Sequence, residues 1–492
     1  MTFDPRGTGS NIPYQCPDLS LQPDYVQLQD MALPLDDPAG LNARYLEYTQ
    51  QGELCGEPEY KELGELIGTA FVARDIKAIF DALDEDGYIR YWGFSYGTLL
   101  GTTLAAMFPD KIDRMVLDGN INPTDYYHGY FEESVDSNDP ALQHFFDTCA
   151  EAGPENCPFA VFSESGDELQ EKFYELLESS KNRTYTFVYV DGPDEPYNYN
   201  NLQGAMWHTL SAGPDVWNHT AGILADFYQN LTGYPEDISW DHFTTPPDPS
   251  DATADTTMAI TCGDWDDIDG TIENWKDWLK LYEARSRLGA PPQITYVYRC
   301  STWRVNGRGK YTGKFTNIET KTPILFVNGP YDVNTPLTSA INSSAGFVNS
   351  KVLVHGGAGH CSSREPSSCT IAAVRSYWET GVLPDVSEPC PPNNKNPWID
   401  LAGNSRKKWR RRAPSIGTPS GPGVHVPRDV TKREDATATS EVAVPATCTP
   451  VSARDENVST GQLQQSLDDF RELCSGVGDD KWFLKLMCGS IG

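Results

Sequence analysis

The stretch from residue 69 to 119 constrains this chain most, because its hydrophobic period changes repeatedly around one serine. Over 69–86, Val72, Ile76, Ile79, Phe80 and Leu83 recur at helical spacing and define one buried face. Gly87 ends that helix. Ile89-Arg90-Tyr91-Trp92 is a short strand-prone run, followed by Gly93-Phe94-Ser95-Tyr96-Gly97. Residues 96–108 are helical again, with Leu99, Leu100, Leu104 and Met107 on one side and Pro109 as the stop. Met115-Val116-Leu117 reads as the next strand, closed by Asp118-Gly119. Strands alternating with helices imply a parallel sheet covered on both faces.

A Gly-x-Ser-x-Gly between a strand and a helix is the nucleophile elbow of an α/β-hydrolase. The serine occupies a strained turn, so Gly93, Gly97 and, one turn on, Gly101 let backbone and strands approach closely. The helix N-terminus brings partial positive charge to where an oxyanion would form, with the Tyr96 N–H as one donor. A serine hydroxyl attacks only when a base removes its proton, and the base needs an orienting acid. In this fold those partners follow in the order serine, acid, histidine, each beyond a strand.

The alternating rhythm resumes after residue 320. Residues 323–327 (Pro-Ile-Leu-Phe-Val) form a buried-type strand, a helix begins at Pro336, 351–355 is another strand and 370–380 another helix. Asp332 lies five residues past the first of these strands and His360 five past the second, in Gly356-Gly357-Ala358-Gly359-His360-Cys361. They are the favoured acid and base. His355 is the nearer rival base, at a strand end where side chains more often pack. Asp264, Asp266 and Asp267 are rival acids, but they fall in the intervening segment. Histidines 128, 144, 208, 219 and 242 read as surface or structural, and His425 lies in the tail.

That intervening segment, 121–320, is rich in Trp, Tyr, Asp and Pro, with helical stretches at 167–179 and 272–286. It reads as a lid inserted between two parts of the sheet domain, 1–120 and 321–400. Glu132 and Glu133, at its start, are candidates to hold a substrate α-ammonium. After residue 400 a basic run, Arg406-Lys407-Lys408-Trp409-Arg410-Arg411-Arg412, precedes a segment rich in Pro, Ser, Thr and Ala. It cannot bury enough apolar surface to offset its chain entropy, so 401–492 is expected to be a disordered tail, with a short helix at 461–474.

Three sets of residues together resemble a known family. They are Asp4-Pro5-Arg6-Gly7-Thr8-Gly9-Ser10, Tyr91-Trp92-Gly93-Phe94-Ser95-Tyr96-Gly97-Thr98 and Val116-Leu117-Asp118-Gly119. With the strand–Asp–His block at 322–361, Tyr377-Trp378-Glu379-Thr380-Gly381-Val382-Leu383-Pro384 and Cys390, they are similar to the tripeptidyl aminopeptidase-like α/β-hydrolases. These are serine exopeptidases related to prolyl aminopeptidases, and many fungal members are secreted. The likeness implies a mostly parallel sheet with a largely helical lid. It also implies attack by Ser95, with Asp332 and His360, on a peptide with a free N-terminus through an acyl-enzyme intermediate. A disulfide between Cys369 and Cys390 is implied too; Cys149 with Cys157 and Cys262 with Cys300 are further candidate pairs. An esterase on the same scaffold, or a non-catalytic remnant that binds through its lid, are the other readings, because fold does not fix substrate.

Composition narrows the partners. The net charge of −32 argues against nucleic acid, since phosphate binding needs clustered Lys and Arg, and it weakly favours a cationic ligand. No apolar run approaches the ~20 residues of a membrane-spanning helix. No Cys-x-x-Cys pair is present, and nothing implies a metal or cofactor. A peptide or small ester is the expected partner; oligomeric state is not legible. Twelve cysteines and the sequons at Asn182, Asn218, Asn230, Asn342 and Asn457 point to an oxidising, extracellular compartment, yet no signal peptide opens the sequence.

The resemblance explains that conflict. In the family the Asp-Pro-Arg-Gly motif follows the fourth strand, so the first strands, the export signal and the loop giving a second oxyanion N–H would lie upstream of this sequence. A start placed too late is a simpler explanation than a truncated pseudoenzyme. As written, the chain is expected to fold poorly and to be weakly active, since losing one oxyanion donor costs on the order of 10²–10³ in rate and the elbow strand would become an exposed edge.

Overall fold

A computed structural model describes residues 3–399 apart from 10–12, 18, 20–33, 84–85, 183–184, 188–194, 233–253 and 386. The expected tail, its basic run, His242, His425 and Asn457 lie outside the described residues.

Helices α1 (Pro38–Cys55), α2 (Pro58–Gly64) and α3 (Thr69–Leu83) precede the first strand, β1 (Ile89–Phe94). Asp37 caps α1, its carboxylate accepting the amides of Ala39 and Gly40. Helix α3 buries Val72, Ala73 and Ile76, while Ile79, Phe80 and Leu83 are half-buried. Helix α4 (Tyr96–Met107) follows β1 directly and is buried on every side from Thr98 to Ala105. That fits a run of Thr, Leu, Gly and Ala with no charged residue. It leads into β2 (Ile112–Asp118), which is longer than its central three apolar residues suggest.

The long insertion is mostly helical: α5 (Pro123–Tyr127), α6 (Asn138–Ala152), α7 (Gly166–Ser179), a small hairpin of β3 (Tyr185–Phe187) with β4 (Glu195–Tyr197), α8 (Tyr199–Ala212), α9 (Trp217–Thr232), α10 (Ala254–Asp264), α11 (Ile272–Glu283) and α12 (Ala290–Thr302). Its two halves differ in what they pack on. Helices α6 to α9 share a core of their own around Phe145, Phe146, Phe173, Trp217 and Phe227. In the second half, Trp275, Ile294 and Tyr298 join the core that contains Leu99, Met115 and Phe326.

The chain then returns to the sheet with β5 (Leu325–Asn328), α13 (Leu337–Ser344), β6 (Lys351–Val354) and α14 (Ser368–Thr380). The sheet runs β1-β2-β5-β6 with every pairing parallel. Alternation decides which core each residue enters. Met115, Leu117, Ile324 and Phe326 face the α3–α4 layer, whereas Val116, Leu325, Val327 and Leu353 face α14 with Val374 and Tyr377. Burial on both faces explains the unbroken apolar runs in these strands. The sheet is the α/β-hydrolase arrangement, with the helical insertion between β2 and β5.

Disulfides join Cys149–Cys157, Cys262–Cys300 and Cys369–Cys390, as the candidate pairs had it, and also Cys16–Cys55. Among the described residues Cys361 is a free, buried thiol. No described helix is long and apolar enough to cross a membrane.

Candidate active site

Parallel strands deliver their C-terminal ends to one rim, and the register aligns them there. Phe94 pairs with Asp118, and Asp118 with Val327, so the residues just beyond β1, β2 and β5 are neighbours. Ser95 is the first residue past β1. Its φ of 53° and ψ of −123° put a non-glycine residue in a costly backbone region, held by Ser95 N–H donating to Asp118 O at 3.1 Å. The close packing that permits the turn is specific. A Cβ on Gly93 would meet Gly97 O at 2.4 Å, and one on Gly101 would meet Leu117 at 2.5 Å. A Cβ on Gly97 would find ordinary contact with Tyr91, so that glycine is less constrained than its neighbours.

Tyr96 opens α4, where the first backbone N–H groups have no partner within the helix. Its side chain turns inward, the hydroxyl 2.7 Å from Thr69 Oγ1.

Asp332 and His360 come together. His360 Nδ1 is 3.0 Å from both Asp332 oxygens. The carboxylate, only 1% exposed, also accepts the Asn334 and Thr335 amides, the Thr335 hydroxyl and the Cys361 amide, all within 3.0 Å. Burial opposes ionisation of Asp332, but the His360 charge and these donors outweigh it and lower its pKa. For His360 burial likewise favours the neutral form, yet the Asp332 charge and hydrogen bond prevail and raise its pKa. The pair is therefore a fixed carboxylate aimed at Nδ1 of the imidazole, and Nε2 is the ring nitrogen turned away from it.

Two insertion helices hold these loops. His144 of α6 stacks on Tyr331 with centroids 3.9 Å apart and planes within 5°, and Asn138 Nδ2 donates to Val333 O at 3.2 Å. The His360 amide donates to Ser211 O at the end of α8, 2.8 Å away. Beside it, Gly359 has φ +98°, and a Cβ there would lie 2.9 Å from Gly213 Cα. None of these contacts has a local sequence signature. The Thr335 contact has one, because Asp332-Val333-Asn334-Thr335 is the spacing at which an Asp side chain binds the amides two and three residues on.

The other candidates sit elsewhere. His355 is buried with Nδ1 2.9 Å from Thr370 Oγ1, and burial pushes its pKa down to about 4. Asp264 accepts the Thr69 amide at 3.0 Å and the Tyr126 hydroxyl at 3.3 Å, fastening α10 to the start of α3; burial pushes its pKa up to about 7. Asp266 and Asp267 are exposed. Glu133 accepts from Asn122, Ser339 and Asn342, and Glu132 lies 3.7 Å from Arg285, so both carboxylates have protein partners.

Two family models match this chain. The one for the alpha/beta hydrolase fold covers residues 1–156, with β1, the elbow and β2, and the one for TAP-like protein covers 288–390, with Asp332 and His360. The chain is 25% identical over 411 residues to a tripeptidyl aminopeptidase of Streptomyces lividans, covering 80% of this chain and 70% of the relative. The corresponding Streptomyces coelicolor protein is similar at 25% over the same length. Serine protease Hip1 of Mycobacterium tuberculosis is 24% identical over 233 residues, covering 46% of this chain and 43% of that protein. The elbow after β1, the Asp332–His360 pair beyond β5 and β6, and the matches at both ends of the sheet domain give this chain an α/β-hydrolase fold whose C-terminal part is similar to TAP-like proteins.

Proposed function

We propose that the protein is a serine exopeptidase that releases short peptides from free N-termini, with Ser95 as nucleophile, His360 as general base and Asp332 as the acid that orients it. The observation that carries this reading is the Asp332–His360 pair, whose carboxylate is saturated by Thr335, Asn334 and Cys361 and can turn only one face to the imidazole. The names of the Streptomyces relatives support a peptidase that acts from the N-terminus.

His360 Nε2 takes the proton from Ser95 Oγ as the oxygen attacks the scissile carbonyl. The Tyr96 N–H, at the head of α4, stabilises the resulting oxyanion. His360 then gives its proton to the leaving amine, which departs and leaves an ester on Ser95. Water attacks that ester with its proton passing to His360, which returns it to Ser95 Oγ as the Oγ–acyl bond breaks and the acid leaves. Through both steps Asp332 stays ionised and balances the imidazolium.

The four disulfides among the described residues fit a protein matured in an oxidising compartment, and we assign it to the extracellular side. Glu132 and Glu133 are not retained as the ammonium site, because each already has partners. The test is turnover of a tripeptidyl anilide with a free N-terminus, its N-acetylated form and a nitrophenyl ester. The exopeptidase reading requires cleavage of the first and loss of cleavage on acetylation. Turnover of the ester alone would make the protein an esterase, and no turnover with no labelling of Ser95 would leave a binding protein.

A further inference from the structure

Asp118 closes β2 at the sheet rim, between the nucleophile strand and the strand that leads to Asp332. It is 1% exposed. Its backbone oxygen accepts the Ser95 amide at 3.1 Å. Its carboxylate accepts the Ser362 amide at 2.9 Å through Oδ1 and the Ser362 hydroxyl through Oδ2. Consecutive amides after the histidine thus bind two different carboxylates, Cys361 N–H to Asp332 and Ser362 N–H to Asp118. Between them there is no room for a side chain. A Cβ on Gly119 would meet Cys361 Sγ at 2.6 Å and Thr335 Oγ1 at 3.1 Å.

We propose that Asp118 is a positioning residue for catalysis, a second buried carboxylate that clamps the His360 loop to the nucleophile elbow and biases the charge on the imidazole. The clamp works from both ends of one residue: the main chain fixes Ser95 and the side chain fixes the segment that starts at His360. Geometry sets two buried carboxylates against the one segment that begins at His360, and a Cβ on the intervening Gly119 would lie 3.4 Å from Asp332 Oδ2. Burial pushes the Asp118 pKa up to about 6, against the two Ser362 donors, and the nearby Asp332 charge raises it further. The charged or titratable groups acting on His360 are Asp332 and Asp118, which favour the imidazolium, and Arg364, which opposes it; the Cys361 thiol, adjacent in the chain, is held neutral by burial. An ionised Asp118 therefore adds to Asp332 in stabilising the proton that His360 carries in the transition state.

This inference rests on the serine-hydrolase reading, and the experiment separates the two. Asp118→Asn keeps an acceptor for the Ser362 amide and removes the charge; Ser362→Ala keeps the charge and removes the hydroxyl donor. Both are made in the full chain and compared with the unaltered protein, using fluorophosphonate labelling of Ser95 and the pH profile of kcat/KM on the free-N-terminus anilide. For Asp118→Asn, kcat falls on the order of tenfold, KM stays within about twofold, and the acid limb moves to lower pH because the imidazolium loses a stabilising charge. Ser362→Ala lowers kcat by a smaller factor and leaves the acid limb in place. An acid limb unmoved in Asp118→Asn, or an unchanged kcat, overturns the proposal. Should Asp118→Asn fail to fold by circular dichroism, wild-type kinetics in Ser362→Ala overturn it and a fall in kcat at constant KM supports it. An unaltered protein that neither labels nor turns over would overturn the hydrolase reading itself, and the inference with it.

Discussion

His144 lies flat against Tyr331, with ring centroids 3.9 Å apart and planes within 5°, so the inserted helix α6 rests on the residue that precedes Asp332. Burial pushes the His144 pKa down to about 4, despite the opposing charge of Asp147. The stack is therefore neutral across the working range. His144→Ala should lower stability by about 1–3 kcal/mol and reduce kcat more than KM, as the Asp332 loop loses its backing. His144→Phe should restore both. Thermal melts and steady-state kinetics on the three proteins check this, and the stability loss should be constant above about pH 7 and shrink as pH falls below the unfolded histidine value of 6.5.

Asp332→Asn should cost on the order of 10⁴ in kcat, since an amide cannot hold the imidazole in the productive tautomer or balance its charge. The pH dependence has a definite sign. His360 must be neutral to act as base, and its pKa is raised by Asp332 against the effect of burial. Activity should therefore rise with pH through an acid limb lying above 6.5, the ordinary histidine value that the shift starts from. A kcat/KM profile measured from pH 5 to 9 reads the limb directly; a limb below the ordinary value would mean that the pair is not coupled as described.

Stability should run the other way. Burial pushes Asp118 and Asp125 up to about 6 and Asp264 and Glu365 up to about 7. A carboxyl whose pKa is raised on folding binds more protons in the native state than in the unfolded one. Its contribution is thus present below its unfolded value and lost as pH rises through the folded value. Asp332 acts oppositely, since its lowered pKa adds stability above the unfolded value. His144 and His355, both lowered to about 4, also favour the higher pH, but the four raised carboxyls outweigh them, so the melting temperature should be higher near pH 5 than near pH 8. Glu365, whose Oε2 accepts the Ala358 amide at 2.8 Å while Oε1 is buried without a partner, should contribute visibly. Glu365→Gln should flatten the decline between pH 5 and 7.

Much of the sheet domain was legible because local signals and tertiary needs agree there. The strand at 89–92, the elbow and the helix after it sit at Ile89–Phe94 and Tyr96–Met107, and the helix expected from Pro336 begins at Leu337 with Pro336 as its cap. That Asp332 and His360 would meet at the rim was legible from their distance past two apolar strands, which is a topological rule and needs no knowledge of packing. The supports of the site were not. Ser211 O meets the His360 amide, and His144 meets Tyr331, only because an insertion nearly two hundred residues long folds back over the rim, and periodicity within a helix says nothing about which loop it will touch. Glu132 and Glu133 show the same limit from the other side. A pair of acids at the start of a lid suggests an ammonium site, but Ser339, Asn342 and Arg285 lie beside them in space. Asp118 stood in the sequence as the residue closing a strand, and its second role depends on Ser362 arriving from far along the chain.

The Cys369–Cys390 bridge should matter more than its place at the rim of α14 suggests. Cys390 N–H donates to Val354 O, and Gly356 N–H donates to Cys390 O, so the cross-link pins a segment along the end of β6, from which the His360 loop departs. With a sequence separation of 21 residues, chain-entropy arguments give about 3 kcal/mol for the closed loop. Replacing both cysteines by serine should lower stability by about that amount in denaturant titrations and slow labelling of Ser95.

Covalent labelling of the full chain by a fluorophosphonate, with the site identified by peptide mass mapping, tests the central claim most directly. The arrangement of elbow, base and acid predicts a single modification at Ser95. It should be lost in Ser95→Ala and slowed on the order of 10³-fold or more in His360→Ala. Labelling of another serine, or a Ser95 that reacts no faster in the folded protein than in the denatured one, would contradict it.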